Sequence, residues 1–448
     1  MYSLFDKLGI RVPKVLMPVK ENDMCKWAVV ACDQYSSQPE YWQKAEEIVG
    51  SRPSTLKLTL PEVYLGKPEE SIRIDAINKN MIEYTKNGIL EEQEGFILVD
   101  RKTSHAESRK GLMVLMDLEK YNYNEGSQSL IRATERTDVN RLPPRIKIRQ
   151  NASLELPHIM VLIDDPNKTV IEPLFDMKDK MTCLYDFELM LGGGHIKGYR
   201  IDDGKITEGI LSAIEKLADP EGFKARYQVG DEKGVLLFAV GDGNHSLASA
   251  KAHWENIKSD CSEVERELHP ARFALVELVN VHDEGIKFEP IHRVVFNIEL
   301  EEFVSKMQSF YGDSSKVELV KCSTKDEMKA QLGKMNGNSV HCLPVITSAG
   351  FGIIEVRCPK CNLEVGTLQI FLDELILADK KVEIDYIHGE DVVDSLGSKS
   401  GNIGFYLPVM DKNDLYKTVI LDGVLPKKTF SMGEAEEKRF YLECRKIV

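Results

Sequence analysis

Six residues, Gly241-Asp-Gly-Asn-His-Ser246, stand between an apolar run at 235–240 and a helical pattern at 247–254. That order predicts a strand, a tight glycine turn and a helix. Two glycines allow a sharp turn and a close approach of backbone to a ligand. The helix that follows offers unpaired N–H groups and the positive end of its dipole. An anion, most often a phosphate, is the usual guest of such a turn. Asp242, Asn244, His245 and Ser246 add side chains suited to phosphate or metal chemistry. The plainer alternative is a polar strand-to-helix turn with a helix cap.

Bulk properties narrow the class. A chain of 448 residues allows about three domains. Hydrophobic residues make up 42% and charged residues 29%, ordinary for a globular protein with a core of its own. With 58 Lys+Arg against 72 Asp+Glu the net charge is -14, which argues against a surface built for nucleic acid or anionic membrane. The first residues show no basic segment leading into a long apolar core, so no signal peptide is expected. No run approaches the roughly 20 apolar residues of a spanning helix. Nine scattered cysteines fit reduced thiols, and a cytoplasmic location is expected.

Along the chain, 26–32 reads as a short buried strand running into a turn at Asp33. Pro39 then opens a helix to about 49. A polar-faced helix is expected over 70–94, paired strands at 96–100 and 111–117, and a further strand at 156–164. A hairpin over 182–200 turns at Gly192-Gly-Gly194, an amphipathic helix covers 206–217, and a core strand covers 272–281. His292 and Arg293 lie within a strand-like stretch at 288–296. Alternating helices (299–310, 325–335) and short strands then suggest a small α+β subdomain. These patterns divide the chain into 1–296, a core with an N-terminal elaboration; 297–380, the subdomain; and 381–448, a segment returning to the core. The fold class is mixed α/β.

Residues 131–149 carry six Arg/Lys and two acidic residues, a basic island in an acidic protein. Arg132, Thr134, Arg136, Arg145 and Lys147 there suit an anion-binding loop, because arginine forks match phosphate bidentately. A solvated loop is the alternative. Lys427, Lys428, Thr429 and Ser431 form a second candidate phosphate-facing group, with an ordinary loop as the alternative. Cys358-Pro-Lys-Cys361 has the spacing of half a zinc knuckle, which Cys322, His341 or Cys342 would have to complete. A polar hairpin turn is the alternative.

The chain has no GxxxxGK[ST] loop, no GxSxG elbow and no kinase HRD/DFG set. His and Asp beside a helix N-terminus, with separate Arg-rich and Lys-Thr-Ser segments, suit phosphoryl transfer. That reaction needs cations and N–H donors around the transferred group, a base for the nucleophile, and usually a divalent metal.

Several segments together resemble a family described as a conserved domain of unknown function. They are Cys32–Trp42, Ile131–Glu135, Arg141–Arg149, Leu191–Tyr199, Gly241–Lys251, Phe288–Arg293, Tyr386–Asp391 and Lys428–Gly433. Members look like pyrophosphate-dependent kinases of free L-serine that make O-phosphoserine, related to the ParB/sulfiredoxin superfamily. The resemblance implies a ParB/sulfiredoxin-like catalytic core with a mixed sheet. In that superfamily a more basic turn holds the phosphates. Here Asn244 and Ser246 stand at two of the basic positions, so the missing charge must come from elsewhere, and 132–149 is the candidate.

On this resemblance, pyrophosphate is the co-substrate, Mg²⁺ the metal and L-serine the acceptor. His245 and Ser246, with Gly243 and Asn244, would hold the donor phosphates. Asp33 is the expected base, with Glu135 and Asp242 as rivals. Asp242 doubles as a metal ligand. Glu135, His292, Arg293 and His388 are expected around the acceptor. The alternatives are a nucleotide donor (ADP or ATP), a phosphohydrolase acting on a small phosphoester, a nucleotide-binding switch of the ParB kind, and a non-catalytic binding module, which the density of polar motifs disfavours.

Overall fold

Apolar runs in the first 287 residues pair into one mixed sheet. The computed structural model describes residues 2–139, 142–312, 315–334 and 340–448. Two compact units are present: residues up to Lys287 together with Met432–Val448, and Phe288–Ser431.

The first unit carries the large sheet. Its strand order is Thr182–Glu188, His195–Ile201, Phe96–Lys102, Arg109–Asp117, Phe273–Asn280, Met160–Ile163, Phe238–Asp242, Ile131–Ala133 and Tyr121–Asn122. Ile10–Arg11 pairs alongside Arg109–Asp117. Most pairs are antiparallel, but Met160–Ile163 runs parallel to Phe273–Asn280, and Ile131–Ala133 runs parallel to both Phe238–Asp242 and Tyr121–Asn122. Residues alternate between the two faces, as the pleat requires. Val276 and Leu278 join Leu98, Leu112 and Val114 on one face. Helices Gly204–Leu217 and Asn244–Ile257 cover that face through Ile210, Ile214, Leu247 and Trp254. Leu275 joins Val99, Met113 and Leu115 on the other face. There Trp42 and Met81, from helices Pro39–Val49 and Glu70–Lys86, pack with Phe440 and Leu442.

The second unit is an antiparallel six-stranded sheet. Its order is Lys316–Cys322, Gly350–Arg357, Val340–Thr347, Asn402–Phe405, His292–Phe296 and Glu383–Ile387. Helices Leu300–Tyr311, Glu364–Ala378 and Glu390–Gly397 belong to it.

Several expected elements differ. Residues 26–32, expected as one strand, form the end of helix Met24–Trp27 and a two-residue strand, Val29–Val30. Asp23 caps that helix by accepting the Cys25 N–H, so a local cap overrides the apolar run. The 70–94 helix stops at Lys86, and Leu90–Glu94 pairs with Lys14–Pro18. Part of the basic island, expected as a loop, is helix Leu142–Gln150, whose two prolines lie in its first turn. Arg141 lies outside the described residues.

Candidate functional site

The turn at 241–246 is held by close backbone approach. Gly243 has φ +80, and a Cβ there would come within 3.0 Å of Ile159. A Cβ on Gly241 would meet Leu162 at 2.8 Å. Gly243 caps helix Asn244–Ile257, as expected from the strand–turn–helix pattern. The Asn244 side chain turns inward, where its Oδ1 accepts the Thr134 N–H at 3.2 Å. The Thr134 hydroxyl donates to the Val240 carbonyl at 2.5 Å. Both side chains are buried and tie strand Ile131–Ala133 to the turn. His245 Nε2 accepts the Asp138 N–H at 3.3 Å.

Asp33 reaches the same turn. Strand Val29–Val30 pairs antiparallel with Phe440–Tyr441, and the Ala31 N–H donates to the Arg439 carbonyl at 2.9 Å. That pairing carries the chain to Asp33 beside Lys438 and Tyr441. His158 enters from the segment leading to strand Met160–Ile163, where Met160 is the register partner of Asp242. Its Nε2 lies 3.1 Å from Ser246 Oγ and 3.8 Å from Asp33 Oδ2, and its Nδ1 lies 3.0 Å from the Tyr441 hydroxyl. Lys438 Nζ lies 3.3 Å from Asp242 Oδ2, while Asp242 Oδ1 accepts the Gly243 N–H. The result is one cluster of two carboxylates, a lysine, a histidine, a tyrosine and a serine hydroxyl at a helix N-terminus.

Burial alone would raise the Asp33 pKa, but the adjacent His158 ring, the Gln34 amide and Lys438 outweigh it. The carboxyl therefore titrates below its usual range. Burial, with Asp33 nearby, pushes the Cys32 thiol up to about 12. Burial also raises Tyr441 well above its ordinary value, so both stay protonated at neutral pH. Beside Lys438, the buried Arg439 bridges Glu277 and Glu443, and Tyr185 donates to Glu443 at 2.7 Å. This charged network fixes the segment that delivers Lys438 and Tyr441.

A pocket of about 160 Å³ opens beside the cluster. His158, Ser246, Tyr441 and Arg145 line its polar end, and Leu60 and Leu275 are among its apolar walls. A second pocket, about 250 Å³, lies between helices Pro39–Val49 and Glu70–Lys86 and contains none of the clustered residues.

The basic island is arranged differently from a bare anion loop. Arg145 pairs with Glu62, Lys147 with Glu70 at 3.4 Å, and Arg136 with Glu125 at 2.5 Å. Arg132 is buried and donates to the carbonyls of Ser129 and Gly234 at 2.7 and 2.5 Å. Glu135 is half-buried on the same segment.

The remaining expected residues belong to the second unit. His292 is buried there, and its Nδ1 accepts the Leu407 N–H at 3.0 Å. Arg293 is fully buried and donates to the Lys427 and Lys428 carbonyls at 2.8 and 2.9 Å, so it fixes the loop carrying Lys428. Thr429 donates to the Pro426 carbonyl at 2.6 Å; Ser431 is half-buried and His388 exposed.

Among the described residues no group of three or more His, Cys, Asp or Glu could hold a metal ion by itself. Cys358 is exposed at the end of strand Gly350–Arg357, and His341 bonds Thr367 at 2.8 Å rather than joining it. Among those residues, too, no helix is long and apolar enough to cross a membrane.

His158, Lys438 and Tyr441 had not been singled out from the sequence. His158 interrupts an apolar segment just before a buried strand, a signal that was available. Lys438 and Tyr441 offer none until the C-terminal strand is paired.

The structure is therefore a mixed α/β protein with a polar cluster at a helix N-terminus. Residues 14–373 match the family described as "Protein of unknown function (DUF1015)", and the chain belongs to that family. No curated protein matches it. Among solved structures, the chain is similar to a conserved hypothetical protein from Pyrococcus furiosus at 12% identity and TM-score 0.35, covering 74% of this chain and 90% of that one. A mutant free serine kinase in complex with AMP is similar at 10% identity and TM-score 0.40, covering 75% and 92%. SbnI with a C-terminal truncation, from Staphylococcus aureus, is similar at 8% and 0.32, covering 72% and 83%.

Proposed function

We propose that this protein transfers a phosphoryl group from pyrophosphate to the hydroxyl of free L-serine, giving O-phospho-L-serine and orthophosphate. The observation that carries this reading is the Asp33 carboxylate gathered with Lys438, Asp242, His158 and Ser246 at the N-terminus of helix Asn244–Ile257.

Pyrophosphate sits over the turn, taking N–H groups from the first helical turn and the Ser246 hydroxyl. Lys438, paired with Asp242, supplies a cation, and His245 flanks the turn. Asp33 accepts the proton of the serine hydroxyl as its oxygen attacks phosphorus. The P–O bond to the leaving phosphate breaks, and orthophosphate departs. Asp33 is unprotonated at neutral pH, as a group that accepts this proton must be.

Mg²⁺ fits the donor set, because it takes one or two carboxylates together with substrate phosphates and needs no all-protein cage. Asp242 is the residue that would hold it, beside the turn. When bound, it would neutralise charge on the phosphate oxygens.

The test is turnover of serine with pyrophosphate, ADP and ATP compared as donors. Phosphoserine formed with a nucleotide and not with pyrophosphate would reassign the donor. Phosphate release without an acceptor would favour a phosphohydrolase.

A further inference from the structure

The ring of His158 is bonded on both sides, and the partners restrict which nitrogen carries a proton. The Tyr441 hydroxyl accepts the Cys32 N–H at 3.2 Å, so one oxygen lone pair is engaged. Its single proton can go to Cys32 Sγ at 2.9 Å or to His158 Nδ1 at 3.0 Å. An imidazole nitrogen is a far stronger acceptor than sulfur. With a neutral ring, the hydroxyl proton therefore goes to Nδ1, and the ring carries its own proton on Nε2. A protonated ring also has hydrogen on Nε2, and Tyr441 then turns its proton to sulfur. In both charge states a donor faces Ser246 Oγ at 3.1 Å and Asp33 Oδ2 at 3.8 Å. A serine hydroxyl that accepts from Nε2 keeps its one proton for another partner.

We propose that Tyr441 and His158 are a positioning pair: Tyr441 holds Nδ1, so that Nε2–H orients Ser246 to donate its hydroxyl proton to a phosphate oxygen, with the ring edge 3.8 Å from the Asp33 carboxylate. This rests on the phosphotransferase reading for its consequence, but the hydrogen-bond arrangement stands apart from it. Asp33 also faces Lys438, Cys32 and Tyr441. Of these, Cys32 and Tyr441 stay protonated at neutral pH.

The experiment uses the full chain. Nitrogen NMR of the imidazole rings, with the His158→Gln spectrum identifying the signal among ten histidines, reads which nitrogen is protonated. The expected result is a protonated Nε2 in the parent protein and a mixture of tautomers in Tyr441→Phe. In kinetics, Tyr441→Phe raises KM for pyrophosphate about tenfold with kcat little changed, the loss of one hydrogen bond to a charged group. His158→Ala moves the acid limb of kcat/KM to higher pH, and His158→Gln, which keeps an N–H donor, restores part of that shift. A bare Nε2 in the parent protein overturns the proposal. So does an unmoved acid limb in His158→Ala accompanied only by lower thermal stability. If the parent protein makes no phosphoserine, the phosphotransferase reading fails, and the ring spectra still decide the pair because they need no substrate.

Discussion

Asp33 Oδ2 lies 3.8 Å from His158 Nε2, an approach made between two segments far apart in the chain. The contact exists because strand Val29–Val30 pairs with Phe440–Tyr441 while His158 leads into the neighbouring strand of the large sheet. It sets the state of the proposed base. Asp33→Asn should lower kcat by about a hundred- to ten-thousandfold, the range for loss of a general base. A steady-state assay with circular dichroism on the same sample checks this, and turnover near that of the parent would remove Asp33 from the role.

The pH dependence follows from the same group. The native pKa of Asp33 is lowered from the ordinary 3.8. A depressed carboxyl contributes stability that is fully present above its ordinary value and is lost as pH falls through the native one. The kcat/KM profile should therefore stay flat from neutral pH down to the ordinary carboxylate range and fall only below it. An acid limb near pH 6 would point to a different base.

Lys438 lies 3.3 Å from Asp242 and lowers the Asp33 pKa. Lys438→Met should weaken pyrophosphate binding about tenfold and move the acid limb upward, since a charge-assisted contact to phosphate is lost. Calorimetric titration with pyrophosphate gives the first quantity and the rate profile the second. Unchanged binding would take Lys438 out of the donor site.

Asn244 and Thr134 join the glycine turn to its neighbouring strand. Asn244→Ala would leave the buried Thr134 N–H without its acceptor, at a cost of about 1–3 kcal/mol. Urea unfolding should show the loss, with activity falling because the turn is displaced. An unaltered unfolding midpoint would mean that the amide does not hold the turn.

Gly243→Ala combines a left-handed conformation with a Cβ 3.0 Å from Ile159. The cost should be about 1–2 kcal/mol in unfolding free energy, with a rise in KM for the donor. Because Ile159 follows His158, the displacement reaches the cluster. Equal stability of the two proteins would contradict the strained turn.

The glycine turn was legible because a strand, a turn and a helix are all local. Asp33 was legible as a carboxylate opening a turn after a short apolar run, although that run is partly helical. The partners of the basic island were not legible. Glu62, Glu70 and Glu125 reach it from other segments, and only the fold brings them there. Lys438 and Tyr441 were hidden for the same reason, since their place depends on strand pairing with Val29–Val30. His292 and Arg293 were expected around the acceptor through the family resemblance, while from the residues alone His292 reads as a core histidine. In the structure their polar atoms bond backbone of the second unit.

The most direct measurement follows phosphorus by NMR in a mixture of the protein, pyrophosphate, Mg²⁺ and L-serine. The account predicts that pyrophosphate is consumed while phosphoserine and orthophosphate appear in equal amounts, and that Asp33→Asn slows the appearance of both at least about a hundredfold. Orthophosphate without phosphoserine, or phosphoserine only when ADP or ATP replaces pyrophosphate, would contradict it.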